Sequence, residues 1–275
     1  MRDRPLTLMA VHAHPDDEVT STGGTLARYA AEGVTTVVVT CTDGRCGDGP
    51  NGVKPGEAGH DPEAVAAHRR RELEASCAEL KVTHLEMLGY HDSGMLGWDT
   101  NAAPQSFWAT PVTAAAERLA GLIRRYRPDV LLTYDENGGY GHPDHIQVHR
   151  VTMAAVELVT DSSAEVYMSA LPRSAFQRIG ERMREMGIGT DGPDPAAEQP
   201  MGWPDEEITA RIDVTGTLEQ KFAALSAHAS QGDGAFFLSL GREVFGEIMG
   251  VECYVRVRDS TGAPAVEHDL FSGLR

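Results

Sequence analysis

Short apolar runs alternate along most of the chain with longer stretches that have the 3.6-residue period of helices. The apolar runs predict five strands, at Leu6–Val11, Thr35–Thr40, Thr83–Leu88, Val130–Thr133 and Glu165–Ser169. The periodic stretches predict four helices, at Gly24–Ala31, Pro62–Leu80, Thr113–Tyr126 and Ile146–Val159. Strands separated by helices form a parallel sheet with right-handed crossovers. The sequence therefore predicts a Rossmann-like α/β fold, with a mostly parallel sheet and helices on both faces.

The last third of the chain predicts a smaller C-terminal lobe, made of a strand, a helix and a strand at Ile208–Val214, Leu218–His228 and Gly250–Val257. A length of 275 residues fits one large domain. We expect a single domain, with a core over about residues 5–170 and the lobe over about 205–260. Irregular segments lie at Asp43–Asp61, Tyr90–Pro111 and Gly187–Asp205. Loops as long as the first two are usually functional, so we expect them to border a binding site.

Composition argues against two classes of partner. The formal net charge of −17 gives a surface that repels nucleic acid and anionic lipid, and we expect neither as a ligand. No run approaches the roughly 20 apolar residues of a membrane span, and Leu6–Val11 is too short for a signal peptide. The four cysteines form no Cys-x-x-Cys pair, which is typical of reduced thiols. These features together predict a cytoplasmic protein.

The first chemical motif, Ala13–Glu18 (AHPDDE), directly follows the first predicted strand. It lies at the carboxyl end of that strand, where open α/β sheets bind ligands. Adjacent carboxylates such as Asp16 and Asp17 repel each other unless a cation or a shared proton intervenes. One of them can bind a metal while the other transfers protons. The structural alternative is a turn in which an aspartate caps a helix.

The second motif, Tyr134–His145 (YDENGGYGHPDH), follows the fourth predicted strand and contains another His-Pro-Asp unit. If the first and fourth strands are neighbours at the switch point of the sheet, both motifs line one crevice. Two histidines and a carboxylate then form a ligand set that leaves positions open for water and substrate. Mixed nitrogen and oxygen ligands suit Zn²⁺, with Fe²⁺ or Co²⁺ as alternatives.

These motifs resemble the signatures of the PIG-L/LmbE family of N-acetylglucosaminyl deacetylases, namely AHPDDE at Ala13–Glu18 and HPDH at His142–His145. The resemblance extends from about residue 6 to about residue 257. It includes Arg69 with Glu72, Asp92-Ser93-Gly94, Tyr134–Gly139, and Lys221 with His228-Ala229-Ser230-Gln231. The segments YDENGGYGHPDH and PDEEITARIDV are most similar to the mycothiol branch of the family. That branch contains the deacetylase of N-acetylglucosaminyl-inositol and the mycothiol S-conjugate amidase.

The resemblance implies a role for each matched residue. Three residues are implied to bind zinc: His14, Asp17 and His145. Four are implied to act on the amide: Asp16 as general base, His142 and Tyr140 as donors to the tetrahedral intermediate, and Asp144 as the partner that orients His142. Four are implied to bind the substrate: Arg69, Asp92, His228 and Lys221.

The resemblance implies metal-dependent hydrolysis of the N-acyl amide of a small-molecule amino-sugar conjugate, which releases the free amine and a carboxylate. Two related activities stay open, cleavage of the cysteinyl–glucosamine amide of mycothiol S-conjugates and deacetylation of a glycosylated natural product. They stay open because the sequence departs from the family in Asp43–Asp61 and after Asp92, on the acyl or aglycone side. A sugar-binding module without catalysis fits less well, since binding alone needs no base or acid. A dinucleotide-binding oxidoreductase would need a Gly-rich turn in place of HPDDE.

Overall fold

The strands of the computed structural model, which describes residues 4–50, 52–188, 202–260, 262 and 266–275, form one mixed sheet in the order β3-β2-β1-β4-β5-β7-β6. The described strands are β1 Thr7–His12, β2 Thr35–Thr42, β3 His84–Tyr90, β4 Val130–Thr133, β5 Glu165–Ser169, β6 Ala210–Asp213 and β7 Val251–Arg258. The pairs among β1 to β5 are parallel, whereas β7 runs antiparallel to both β5 and β6. The mostly parallel α/β sheet expected from the sequence is confirmed.

The described helices are α1 Asp17–Ala31, α2 Pro62–Glu79, α3 Val112–Tyr126, α4 Gly138–Gly141, α5 Pro143–Leu158, α6 Arg173–Glu185, α7 Leu218–Ala227, α8 Gly232–Ser239 and α9 Gly241–Met249. Short 3₁₀ turns lie at Asp99–Ala102, Asp205–Glu207 and Thr215–Thr217. Among the described helices, none has both the length and the apolar character required to cross a membrane. All four cysteines are free, and Cys46 alone among them is not fully buried.

The helix boundaries differ from the sequence-based expectation at functionally important places. Helix α1 begins at Asp17 rather than at Gly24. The sequence did not indicate this start, because the small residues Thr22–Thr25 are all buried and give the helix no polar face. Helix α5 begins at Pro143 rather than at Ile146, with His142 as the N-cap whose ring accepts from the amide of Asp144. Helices α4, α6, α8 and α9 were not predicted. Of the irregular segment predicted at Gly187–Asp205, residues 189–201 lie outside the described residues.

The first and fourth strands are neighbours, as the sequence predicts. Leu8 of β1 pairs with Val130 of β4, and Ala10 pairs with Leu132. The order of strands therefore reverses between β1 and β4, and both chemical motifs leave the sheet at this switch point. Alternate residues of these strands pack into two separate apolar layers, one on each face of the sheet.

The C-terminal lobe is tied into the middle of α1 by a buried ion pair. The carboxylate of Glu252, on β7, accepts from the backbone amides of Gly24 and Thr25, each at 2.8 Å. Its cation is Lys221 of α7, whose Nζ lies 2.7 Å from Glu252 Oε1 and 3.4 Å from the carbonyl oxygen of Thr20. Glu252 thus supplies acceptors, and Lys221 a donor, to backbone groups inside α1. Side chains inserted in this way are a known cause of helix distortion. Because Lys221 is only 1% exposed, its ammonium depends on these partners.

Replacing Lys221 by Met should lower the free energy of unfolding by about 3–5 kcal/mol, because the Glu252 carboxylate would stay buried without its cation. Urea unfolding followed by circular dichroism measures the change. The double variant Lys221→Met/Glu252→Gln should recover part of the loss, since an amide oxygen accepts from the α1 amides without needing a counter-charge. An equal loss in the single and double variants would contradict the assignment of this ion pair.

Candidate metal centre and active site

The two motifs bring the three predicted ligands close together. Asp17 is the first residue of α1, and His145 lies in the first turn of α5. Oδ2 of Asp17 lies 3.3 Å from Nδ1 of His14 and 3.4 Å from Nε2 of His145. Ligand atoms about 2.0–2.1 Å from a tetrahedral zinc ion lie roughly 3.3–3.4 Å from one another. Both measured separations agree with that spacing.

The hydrogen bonds of the two histidines leave one nitrogen of each directed at this point. Nδ1 of His145 is 3.2 Å from the carbonyl oxygen of Gly138, so Nδ1 carries the proton and Nε2 has a free lone pair. That Nε2 is buried and makes no hydrogen bond with the described residues. Nε2 of His14 is 3.2 Å from Asp144 Oδ2, so Nδ1 of His14 is the nitrogen that faces Asp17. A buried atom without a partner is costly, and a divalent metal would satisfy it.

Charge at His14 also favours a cation. Burial alone would lower the pKa of His14, but the carboxylates of Asp92, Asp144 and Asp17 raise the pKa well above its usual value. Burial alone would raise the pKa of Asp17, yet the rings of His145 and His14 hold the pKa of this carboxyl well below its usual range. Anionic groups therefore surround the ring, and a proton or a metal ion offsets their repulsion.

Two other sets of described residues have ligand atoms within 4.8 Å of one another, His14 with His142 and His145, and His14 with Asp92 and Asp144. His142 is a poorer ligand than Asp17 because Nδ1 of its ring accepts from the amide of Asp144 at 3.1 Å. The neutral ring then carries its proton on Nε2 and has no free lone pair. In the second set, Asp92 and Asp144 already contact Nε2 of His14. Asp17, whose Oδ2 lies 3.3 and 3.4 Å from the two ring nitrogens, stays the predicted third ligand.

Asp144 contacts its neighbours differently from what the family resemblance implies. Its carboxylate accepts from the amide of Ser93 at 2.8 Å, from the Ser93 hydroxyl, and from Nε2 of His14 at 3.2 Å. Only its backbone amide contacts His142. The side chain of Asp144 therefore orients His14, and its contact with His142 is made by the main chain.

Asp16 occupies an unusual backbone position beside the metal ligands. Its φ of 118° and ψ of −27° lie outside the regions that residues other than glycine usually adopt. Oδ2 of Asp16 accepts from Nη2 of Arg69 at 2.8 Å, and its amide donates to Oε2 of Glu18 at 2.9 Å. Burial and the charge of Asp17 outweigh the effect of Arg69 and raise the pKa of Asp16 to about 6. The carboxyl can therefore exchange protons near neutral pH.

His142 and Tyr140 border the same point from the α4 turn. Burial and the charges of His14 and His145 lower the pKa of His142 to about 3, so its ring is neutral at physiological pH. Tyr140 is 61% exposed, and its ring lies edge-on to His145 at 5.0 Å. Gly138, in the same turn, packs so closely that a Cβ atom there would lie 2.6 Å from Cβ of His145. These contacts place two hydrogen-bond donors beside the predicted ligands.

The predicted substrate-binding residues divide between two places. Arg69, Asp92 and His228 are buried and line the same cavity as His14 and Asp17. Asp92 accepts from the amides of Gly94 at 2.8 Å and Cys46 at 3.1 Å, and Nε2 of His228 lies 2.7 Å from Glu18. Lys221 lines a second cavity instead, where its ammonium is paired with Glu252.

The cavity beside the ligands has a volume of about 590 Å³. Residues of both motifs form its base, and its walls include Trp98, Leu225, Gln231, Phe236 and Phe237. A second, more apolar cavity of about 480 Å³ lies on the other side of Tyr140 and shares Asp17, Thr20 and Phe237 with the first. Sequence reasoning missed Leu225, Phe236 and Phe237, because they belong to the C-terminal part of the chain, whose position depends on tertiary packing.

Comparison with known proteins agrees with the motifs. The family model described as GlcNAc-PI de-N-acetylase, PIG-L, matches residues 9–156. A 1D-myo-inositol 2-acetamido-2-deoxy-alpha-D-glucopyranoside deacetylase of Acidothermus cellulolyticus is 44% identical, over 98% of this chain and 95% of the relative.

Two solved structures share the fold. The N,N′-diacetylchitobiose deacetylase from Pyrococcus horikoshii has a TM-score of 0.60 at 20% identity, covering 91% of this chain and 83% of that one. A 4-carboxy-2-hydroxymuconate hydratase from Pseudomonas putida has a TM-score of 0.59 at 19% identity, covering 94% and 99%. Because their names denote different reactions, these likenesses speak for the fold alone. The family match, which includes both His-Pro-Asp segments, shows that the chain belongs to the PIG-L family of GlcNAc-PI de-N-acetylases.

Proposed function

We propose that this protein hydrolyses the N-acetyl amide of a glucosamine conjugate, with a divalent metal, zinc first, held by His14, Asp17 and His145. The observation that carries the proposal is the position of Asp17 Oδ2, 3.3 and 3.4 Å from two ring nitrogens, with Asp16 next in sequence. The leading substrate is N-acetylglucosaminyl-inositol, because a relative that matches nearly the whole chain is named for that conjugate.

Asp16, His142 and Tyr140 have different roles in the hydrolysis of the amide. Zinc, when bound, would supply a water of lowered pKa and polarise the amide carbonyl. Asp16, ionised at neutral pH, accepts the proton of the attacking water and passes it to the amine nitrogen as the C–N bond breaks. His142 donates from Nε2 as a neutral ring, and the Tyr140 hydroxyl is the second donor to the developing oxyanion. His142 thus acts as a hydrogen-bond donor whose tautomer is fixed by the amide of Asp144.

The two cavities suit the two sides of the scissile amide. The polar cavity, with Asp92 in its wall, suits the hydroxyls of the sugar. The apolar cavity, which also borders His145 and Asp17, suits the acyl group and is far larger than an acetyl group requires. This observation favours a second candidate activity, removal of an acyl group larger than acetyl, as in an S-conjugate amidase. Lys221 also lines the apolar cavity, with its ammonium paired to Glu252.

His145→Ala should weaken zinc binding by about a hundredfold or more, because it removes one of three protein ligands. Competition with a chromogenic chelator measures the affinity. His268→Ala, which alters an exposed histidine, is the matched control and should bind zinc like the unmodified protein. Full zinc content of His145→Ala at nanomolar free zinc would remove His145 from the ligand set.

Asp16→Asn should keep its zinc and lose about 99% of its turnover, since an amide has the shape of the carboxylate but cannot accept the proton. The assay is amine release from N-acetylglucosaminyl-inositol, with zinc analysis of the same samples. The base assignment would be wrong if the variant kept more than about a tenth of the unmodified rate. Absence of amine release by the unmodified zinc-loaded protein would overturn the leading substrate.

A series of N-acyl glucosaminyl-inositols from acetyl to octanoyl tests the apolar cavity. If the cavity receives the acyl group, kcat/KM should fall less than about tenfold up to hexanoyl. Ile248→Trp, which fills the cavity, should then slow the hexanoyl substrate more than about tenfold and the acetyl substrate less than about twofold. Leu158→Trp, at the exposed end of α5, is the control and should affect neither. Loss of all activity beyond acetyl in the unmodified protein would dismiss the second candidate.

A further inference from the structure

Three hydrogen bonds join the guanidinium of Arg69 to the protein itself, whereas its buried Nε has no hydrogen-bond partner among the described residues. Arg69 lies on α2 and is only 4% exposed. Its Nη1 donates to the carbonyl oxygen of Gly44 at 2.7 Å. Its Nη2 donates both to the carbonyl oxygen of Pro15 at 2.5 Å and to Oδ2 of Asp16 at 2.8 Å. One nitrogen therefore holds the main chain before Asp16 and the side chain of Asp16 together.

The loop after β2 encloses the guanidinium from the opposite side. A Cβ atom added to Gly44 or to Gly47 would lie 2.5 Å from Nη1 of Arg69, so the loop backbone is in close contact with the group. The loop is fixed in turn by Gln231, whose side-chain amide contacts the backbone nitrogen of Asp48 at 3.3 Å and its carbonyl oxygen at 3.1 Å. Arg69 thus has little freedom to turn towards a ligand.

Asp16, which Arg69 contacts, has a strained backbone conformation. The left-handed φ of 118° at Asp16 is strained for a residue with a side chain. Two side chains support this residue: Arg69 donates to the Pro15 carbonyl oxygen, and Glu18 accepts from the Asp16 amide. Among the described residues, the only side-chain contact of the Asp16 carboxylate is made through Oδ2, which leaves Oδ1 to accept a proton.

We propose that Arg69 is a positioning residue that acts through Asp16, and not a contact of the sugar. The proposal rests on the proposed role of Asp16 as general base. By holding Oδ2 and the Pro15 carbonyl oxygen together, Arg69 directs Oδ1 towards the water that attacks the amide. Positioning of this kind affects the chemical step, whereas a sugar contact mainly affects binding.

A kinetic double-mutant cycle of Arg69→Met and Asp16→Asn tests this inference. Arg69→Met should lower kcat on N-acetylglucosaminyl-inositol about tenfold to a hundredfold, and should change KM less than about threefold. Added to Asp16→Asn, it should cause less than about a twofold further loss, because its target is already disabled. A raised KM with unchanged kcat, or two losses that multiply in full, would overturn the proposal.

Arg70→Met is the matched control, since Arg70 lies next to Arg69 on α2 and pairs there with Glu74 near the surface. It removes the same charge and should leave kcat within about twofold. Gly47→Ala displaces the guanidinium and the side-chain oxygen of Gln231 without removing either, and should reproduce the loss of kcat even where Arg69→Met folds poorly.

Added guanidinium ion at low millimolar concentration should restore part of the turnover of Arg69→Ala and none of that of Asp16→Asn. Zinc affinity, measured by chelator competition, should change less than about threefold in Arg69→Met, because Arg69 does not contact the ligands. A large loss of zinc affinity in Arg69→Met would instead assign Arg69 to the metal centre and overturn the proposal. Full turnover of Asp16→Asn would refute the general-base role on its own, independently of any result with Arg69.

Discussion

Negative charge concentrated around one histidine is the constraint on which the rest of the site depends. Asp17, Asp92 and Asp144 all have carboxylate oxygens within 3.5 Å of the ring of His14. Buried carboxylates at such distances repel one another strongly unless a cation lies among them. The strand order brings these groups together from β1, β4 and the loop after β3, and the centre is stable only when that charge is offset.

The chemical motifs could be located from the sequence because each directly follows a strand. The β-branched run Thr35–Thr40 and the short run Val130–Thr133 identified buried strands, and the rule for open α/β sheets placed His14 and His145 at the same edge. The sequence could not show the start of α1, since small buried residues carry no helical period. It also could not predict α8 and α9, which belong to the lobe that packs against the parallel layer.

The contacts of the residues that match the family were harder to predict than their importance. The family resemblance identified Lys221, His228 and Arg69 as significant but could not say what each one touches. Lys221 contacts Glu252 from another element, and His228 contacts Glu18 in α1. Such contacts join residues far apart in the sequence, and local patterns contain no information about them. The segment 228–231 contacts α1, α2 and the loop after β2, through Glu18, Glu72 and Asp48.

The side chain inserted into α1 has a consequence for the order in which the protein forms during synthesis. The amides of Gly24 and Thr25 receive their carboxylate partner from residue 252, near the end of the chain. Until the ribosome has added residue 252, these two amides of the helix that begins with Asp17 lack this carboxylate partner. The parallel strands can assemble earlier, because β1 to β5 are all encoded before residue 170. The contact between α1 and β7 can therefore form only after the parallel strands have been synthesised.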